Sequence, residues 1–333
     1  MACIAAVAVC VAQLAAEQGR DASQVLADAQ AAMGGGKLTS LKSLTANGRV
    51  LRTGPDGATR ENEFELSLQL PDKYLLRSVM AAMGSMSIYR NTGFNGDRAI
   101  DEIDRPPNLS TGGGLVMFRM AGPGGTSVDP EKMTPEQRAE FEKTRLLANR
   151  RECTRLALGM FAAAPPFFPL EITYAGEAES ADGKADALDL KGEGFEARLF
   201  IDAQTHLPLM LSWMDREPLV MQVGGPAGTG RGTVTVAGGG QTRVVQGGGN
   251  PNATQEERDK VRAELEARLK EAEANRRTVE FRIFYSDYQE VGGVMLPHRI
   301  QRSVEGKPTE EMIFESFKVN PKIDARTFEP INK

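Results

Sequence analysis

Residues 225–233, GPAGTGRGT, carry two glycines at the spacing of a phosphate-binding loop. Such a loop needs a lysine after its second glycine to reach the phosphates, followed by a serine or threonine that holds magnesium. Here those positions are Arg231 and Gly232, and the next residues, TVTVAGGG, predict a strand and a turn rather than a helix whose N-terminus would receive phosphate. The segment is therefore interpreted as a glycine-rich loop that does not bind nucleotide.

Metal-ligating and nucleophilic residues are few. His206 and His298 lie far apart in the sequence outside any HExxH motif, and the chain contains no CxxC pair and no GxSxG elbow. Cys153 stands seven residues from both Leu146 and Met160, so it is predicted to be a buried apolar residue of a helix. The sequence thus predicts no cofactor, no metal site and no catalytic residue. Because acidic residues are plentiful, an envelope hydrolase with an unrecognised carboxylate pair stays open as an alternative.

Soft apolar side chains are the more informative feature. Methionine adapts to irregular apolar shapes and is common at binding surfaces. Residues 162–170, AAAPPFFPL, place apolar side chains in what should be an exposed loop. The predicted cavity-lining residues are Met80, Met83, Met86, Met160, Phe161, Phe167, Phe168, Leu209, Leu211 and Trp213. The alternative is that these side chains only fill a core.

The bulk properties restrict the class of protein. The 333 residues carry a formal net charge of −5, which argues against a nucleic-acid partner held through phosphate contacts. Residues 1–16 are predicted to be a signal-peptide-like segment, because residues 4–16 are uncharged and, apart from Gln13, apolar. They are too short for a stable transmembrane anchor, and Val9 before Cys10 makes a poor lipid-attachment site. A periplasmic location is therefore expected, with a buried N-terminal helix as the alternative.

Two helices have clear start signals. Asp21 is a good N-cap for a helix over 21–33, which the glycines that follow would end. Thr134 and Gln137 form a capping box for a long helix, with Pro135 at its first position.

Apolar residues recur with a period of two in much of the remaining chain. Phe64, Leu66, Leu68 and Leu70 alternate with polar residues, as in a half-buried antiparallel strand. Similar reasoning predicts strands over 44–52, 63–70, 73–79, 87–90, 94–103, 170–175, 185–191, 195–201, 207–214, 278–288, 294–304 and 309–319. About a dozen closely spaced strands predict one large antiparallel sheet rather than a βαβ fold.

Residues 217–277 interrupt this pattern and are predicted to be an insertion. They begin with a glycine-rich hairpin that pairs 233–236 with 242–245. A charged helix follows, capped by Thr254 and Glu257 and rich in i,i+4 ion pairs. The expectation is a solvated helix, and a docking helix for a partner protein is the alternative.

Several segments together resemble the LolA/LolB-type periplasmic lipoprotein carrier superfamily in its broad sense. The segments are VLADAQAAMGGGKLTSLKSLTANGRV (25–50), LPDKYLLRS (70–78), GFNGDRAI (93–100), LFIDAQTHLPLML (199–211), YSDYQEVGGVMLPHRIQ (285–301) and FESFKVNPKIDARTFEP (314–330). They follow the order of the family's helix, glycine break and strands, and they cover most of the chain outside 217–277.

The resemblance implies a mainly β fold, a strongly curved antiparallel sheet (half-barrel) covered by helices. It implies one domain over 21–333, interrupted by 217–277, with an apolar cavity for the acyl chains of a lipid or lipoprotein. It implies no catalytic residues, and an envelope protein partner is possible. The alternative function is a non-catalytic structural or partner-binding envelope module with a filled half-barrel.

Export is the first testable prediction, and it rests on residues 4–16. Fractionation of the source cells should place the mature protein in the periplasm, and N-terminal sequencing should find its first residues removed. Recovery of a full-length protein from the cytoplasm would contradict the prediction.

Overall fold

Alternating apolar and polar residues form the strands of one long antiparallel sheet. The structure, a computed structural model, describes residues 21–54, 57–83, 86–104, 133–180, 183–217, 220–224, 233–238, 241–246 and 254–331. Its strands are β1 (Ser43–Thr53), β2 (Thr59–Gln69), β3 (Lys73–Met83), β4 (Met86–Asn95), β5 (Arg98–Asp104), β6 (Glu171–Ser180), β7 (Gly183–Gly192), β8 (Phe195–Asp202), β9 (Pro208–Arg216), β10 (Val220–Gly224), β11 (Thr233–Gly238), β12 (Gln241–Gln246), β13 (Thr278–Val291), β14 (Val294–Val304) and β15 (Lys307–Val319). The helices are α1 (Ala22–Ala32), α2 (Gly36–Thr39), α3 (Pro135–Phe161) and α4 (Gln255–Ala274), and a short 3₁₀ turn spans Ala325–Phe328.

Twelve strands form the main sheet in the order β5-β4-β3-β2-β1-β15-β14-β13-β9-β8-β7-β6. Most neighbours in the sheet are also neighbours in the chain, as expected for hairpins, and the first and last strands, β1 and β15, are paired with each other. The two edge strands, β5 and β6, are the strands before and after α3. Helix α3 itself packs against β5, β4, β14 and β9, so it crosses the sheet. The predicted fold class, a mainly β antiparallel sheet covered by helices, is confirmed.

The helix start signals act as predicted. Asp21 accepts a hydrogen bond from the Ser23 backbone N–H and begins α1. At α3, Thr134 and Gln137 bond each other's backbone N–H groups in a complete capping box, with Pro135 in the first turn. None of the described helices combines the length and apolar character needed to cross a membrane.

The main core lies between α1, α3 and one face of the sheet, called here the inner face. On β2 the residues Phe64, Leu66 and Leu68 point inward and are at most 5% exposed. The polar residues that alternate with them on β2 face solvent, on the opposite or outer face of the sheet. Cross-strand ion pairs, such as Arg49 with Glu61, cover this outer face. The alternation seen in the sequence thus separates core from surface on this strand.

The predicted insertion has its own small sheet. The expected hairpin is present as β11 and β12, with β10 as a third strand that the sequence pattern did not reveal. Helix α4 lies against β11 and β12. Where the segment leaves and rejoins the main sheet, Arg216 on β9 is paired directly with Thr278 on β13. The Arg276 guanidinium donates to the carbonyl oxygens of Glu217 and Arg216 at 2.6 and 3.2 Å, which holds the two ends side by side.

Replacing residues 217–277 with a short Asn-Gly turn should leave a folded protein. Because Arg216 and Thr278 are register partners, the replacement converts β9 and β13 into an ordinary hairpin. Circular dichroism should show the β signal of the shortened chain and one cooperative thermal transition. Loss of cooperative melting would show that the segment contributes to the main core.

Candidate functional site

An apolar cavity of about 180 Å³ lies beside α3, at the end of the sheet where α1 and α2 cover β2. The helical cover contributes Gln30, Leu38, Thr39 and Leu41. The end of β2 contributes Leu68 and Leu70, and α3 contributes Cys153, Ala157 and Phe161. The loop after α3 closes the cavity with Ala163, Ala164, Pro165, Pro166 and Phe167.

Regular structure explains how these side chains meet. Cys153, Ala157 and Phe161 are spaced four residues apart, so they share one face of α3. The helix ends at Ala162, which adopts a left-handed conformation with φ 45° and turns the chain back over the cavity. The Gln30 amide donates a hydrogen bond of 3.2 Å to the Ala162 carbonyl oxygen, which ties α1 to this turn.

The electrostatic character of the cavity is neutral. None of the described side chains that line it is Asp, Glu, Lys, Arg or His. Cys153 is 3% exposed, and burial raises the pKa of its thiol well above the usual value, so the thiol stays protonated. The cavity therefore suits an uncharged apolar group, because a buried unpaired charge would be strongly disfavoured there.

Phe167 and Phe168 have different surroundings although they are adjacent. The Phe167 ring lines the cavity and packs edge-on against Phe94, with the ring centroids 4.7 Å apart. The Phe168 ring is buried and packs instead against Phe195 at 5.7 Å. The loop thus uses one ring as cavity wall and the next as core.

A line of half-buried charges, called here the charge ladder, crosses the inner face next to α3. Arg52 on β1 pairs with Glu310 on β15 at 2.7 Å, and Glu310 pairs with Arg302 on β14 at 3.2 Å. Arg302 then contacts Glu152 on α3, which also pairs with Arg155 at 3.3 Å. The ladder fastens the middle of α3 to the centre of the sheet.

Glu152 is the ladder's central carboxylate. Partial burial opposes its ionisation, but Arg302 and Arg155 outweigh that effect and lower its pKa from 4.5 to about 2. The carboxylate is therefore held ionised as a structural partner of two guanidinium groups.

Other carboxylates with a resolved shift are also held ionised. A hydrogen bond from Arg198 lowers the pKa of Asp189, and Arg326 lowers that of Asp324 to about 2. A general acid requires a raised pKa. These carboxylates thus act in ion pairs and turns.

Two of the predicted lining residues, Phe161 and Phe167, lie in the cavity wall. Met160, Phe168 and Leu211 lie in the main core instead, each at most 4% exposed.

Leu209, Trp213 and the first methionine group lie elsewhere. Leu209 is 38% exposed. The Trp213 ring stacks on Phe281 at 5.3 Å and carries the Arg155 guanidinium 4.3 Å from its centroid, so it belongs to the end of the charge ladder. The side chains of Met80, Met83 and Met86 lie outside the described part of the structure.

Several lining residues were not identified from the sequence. Leu68 and Leu70 are ordinary members of the β2 alternation, and Leu38 and Leu41 belong to a short turn. Cys153 was interpreted only as helix core, and Ala157 was not singled out. A weak signal existed, since Ala157, Ala163 and Ala164 are small residues around one helix end, where larger side chains would have filled the space.

Comparison with known proteins gives likenesses in structure but not in sequence. No protein-family model matches the chain, and no curated protein matches it. A LolA superfamily protein from Nitrosomonas europaea is similar at 10% identity and a TM-score of 0.43, with 93% of this chain and 98% of that chain covered. A DUF1329 family protein from Desulfovibrio piger is similar at 8% identity and a TM-score of 0.44, with the same coverage.

A third solved structure, a domain from Vibrio parahaemolyticus described as an outer membrane lipoprotein-sorting protein, is similar at 8% identity and a TM-score of 0.38. It covers 91% of this chain and 94% of its own. Two of these structures are named for the LolA superfamily or for lipoprotein sorting. No residue's role is transferred from them.

Replacing Glu152 with glutamine should lower the free energy of unfolding at pH 7 by about 1–3 kcal/mol, because two half-buried arginines lose their shared partner. The folded pKa lies below the unfolded one, so the stabilisation is complete above about pH 4.5 and disappears as the pH falls towards 2. Urea unfolding of Glu152→Gln should therefore show a weaker pH dependence than wild type in that window.

The matched control is Glu142→Gln on the same helix. Glu142 forms an exposed i,i+3 pair with Arg145, and its removal should change stability by less than about 0.5 kcal/mol. Equal effects of the two substitutions would contradict the structural role given to the charge ladder.

Proposed function

We propose that the protein is a periplasmic carrier-type protein that holds the acyl chain of a lipid or lipoprotein in the cavity beside α3. The observation that carries the proposal is the cavity itself, lined mainly by apolar side chains and open to solvent on one side, with Thr39 and Pro166 as its exposed lining residues. A chain would enter with its apolar end, and its charged or polar head would stay outside in water.

The size of the cavity sets what it can hold in the present conformation. An engineered apolar cavity of about 150 Å³ in another protein stays dry and binds benzene. By that standard, 180 Å³ has room for about six or seven carbon atoms. The cavity thus fits a short chain or the last part of a long one.

The expected affinity follows from the burial of methylene groups. Each contributes about 0.8 kcal/mol, so six contribute about 5 kcal/mol before association costs are subtracted. By itself, about 5 kcal/mol corresponds to a dissociation constant of about 0.2 mM, and the association costs weaken the binding further. Weak binding suits a carrier, because a carrier must also release its ligand.

The function requires neither a cofactor nor covalent chemistry. The partners we propose are the acyl chains of a lipid or lipoprotein and an envelope protein that donates or receives them. Native mass spectrometry with lipid extraction, applied to protein purified from the cell envelope, would identify the natural chain.

A fatty acid should bind the full chain in a saturable way, because the cavity is lined by apolar side chains. Isothermal titration calorimetry with octanoate, kept below its micelle concentration, should show one binding site. Absence of saturable binding at all concentrations would contradict the proposal.

Ala164→Asp provides the loss-of-function variant. Its carboxylate would stand in the apolar wall, so the dissociation constant for octanoate should rise at least about tenfold. The matched control is Ala139→Asp on the exposed side of α3, which should leave octanoate binding unchanged. A melting curve of each variant would show that both remain folded.

A further inference from the structure

The cavity ends against a single aromatic ring on one side. Phe167 is part of the cavity wall, whereas Phe94, packed edge-on against it at 4.7 Å, is not. The Phe167 ring therefore separates the cavity from Phe94, which is fully buried in the core. Space beyond the present cavity becomes available in this direction only if that ring is moved or removed.

The cavity walls formed by α3 and by the sheet are less able to move than the Phe167 ring. On the α3 side, the helix is held to the sheet by the charge ladder and by Asn149, whose amide donates to the Gly93 and Ile100 carbonyl oxygens at 2.6 and 3.1 Å. On the sheet side, Leu68 is fixed by its strand pairing with Tyr74 on β3. Phe167 instead lies on a loop between Pro166 and Phe168 and is partly exposed.

We infer that Phe167 is the residue that determines the chain length accepted by the cavity, so that the wild-type ligand class is a short, uncharged alkyl segment of about six to eight carbons. The inference rests on the function proposed above and names its ligand more narrowly. A phenyl ring occupies about the space of the benzene that a 150 Å³ cavity accepts. Its removal should therefore extend the accepted chain by about six carbons.

The test uses isothermal titration calorimetry to measure the binding of straight-chain fatty acids of increasing length, each below its micelle concentration. With the wild type, the affinity should rise with length up to about eight carbons and then level off. With Phe167→Ala, it should go on rising to about fourteen carbons, which amounts to a gain of tenfold or more for the longer acids. Ala164→Leu should act in the opposite direction and favour acids of about four carbons, because its larger side chain fills the cavity.

Phe328→Ala is the matched control. Phe328 is 1% exposed in a separate small cluster with Leu75 and Ile100, so its removal leaves a void of similar size away from the cavity. Its chain-length profile should match the wild type. If Phe167→Ala does not fold, Phe167→Leu should show a smaller shift in the same direction.

The outcomes separate the two proposals. In one outcome, the wild type binds fatty acids and its chain-length profile coincides with those of Phe167→Ala, Phe167→Leu and Ala164→Leu. That outcome would overturn the role of Phe167 and leave acyl-chain binding in place. Failure of the wild type to bind any of the acids would overturn both proposals. A shift produced equally by Phe328→Ala would also overturn the inference, since it would reflect loosened packing rather than the cavity wall.

Discussion

The fold depends on a helix that must cross the inside of an open sheet. Helix α3 joins the two edge strands, β5 and β6, so its path leads over the inner face. Such a helix brings polar groups into the core, and burying them costs free energy unless they are paired. Two polar side chains of α3 have such partners. The Asn149 amide donates to backbone carbonyl oxygens of β4 and β5, and the Glu152 carboxylate pairs with Arg302 and Arg155. The Tyr285 hydroxyl also donates to the Arg155 carbonyl oxygen at 2.7 Å.

This fastening divides the inner face into two regions. Around the charge ladder, the space between helix and sheet is occupied by guanidinium and carboxylate groups, together with the Arg155–Trp213 contact. Towards the C-terminal end of α3, small and apolar residues leave a neutral cavity. Because one part of the helix surface is charged and the other apolar, the alkyl chain of an amphiphilic ligand could pack only at the apolar end. The division is therefore consistent with a ligand whose head remains in solvent.

Most of the fold could be predicted from the sequence because its signals are local. Caps at Asp21 and Thr134 and the alternation on β2 depend on neighbouring residues alone. The third strand of the insertion, β10, was missed because Val220–Gly224 is short and lies in glycine-rich sequence. The site was predicted only in part. Phe161 and Phe167 stood out as apolar residues near a loop. Leu68 and Cys153 line the same cavity because the fold brings the end of β2 close to α3, and no local sequence pattern reveals that tertiary arrangement.

The cavity also has an energetic consequence for the proposed function. A closed void costs roughly 24 cal/mol per Å³, so 180 Å³ corresponds to at most about 4 kcal/mol, and to less here because one side of the cavity opens to solvent. A leucine in place of Ala157, Ala163 or Ala164 would fill part of this space and recover stability. A ligand that fills the cavity would recover it as well, because binding to the folded state alone adds to the free energy of unfolding. Under the proposed function, the stability that three alanines around one helix end give up in the empty protein would be restored by an apolar chain in the cavity.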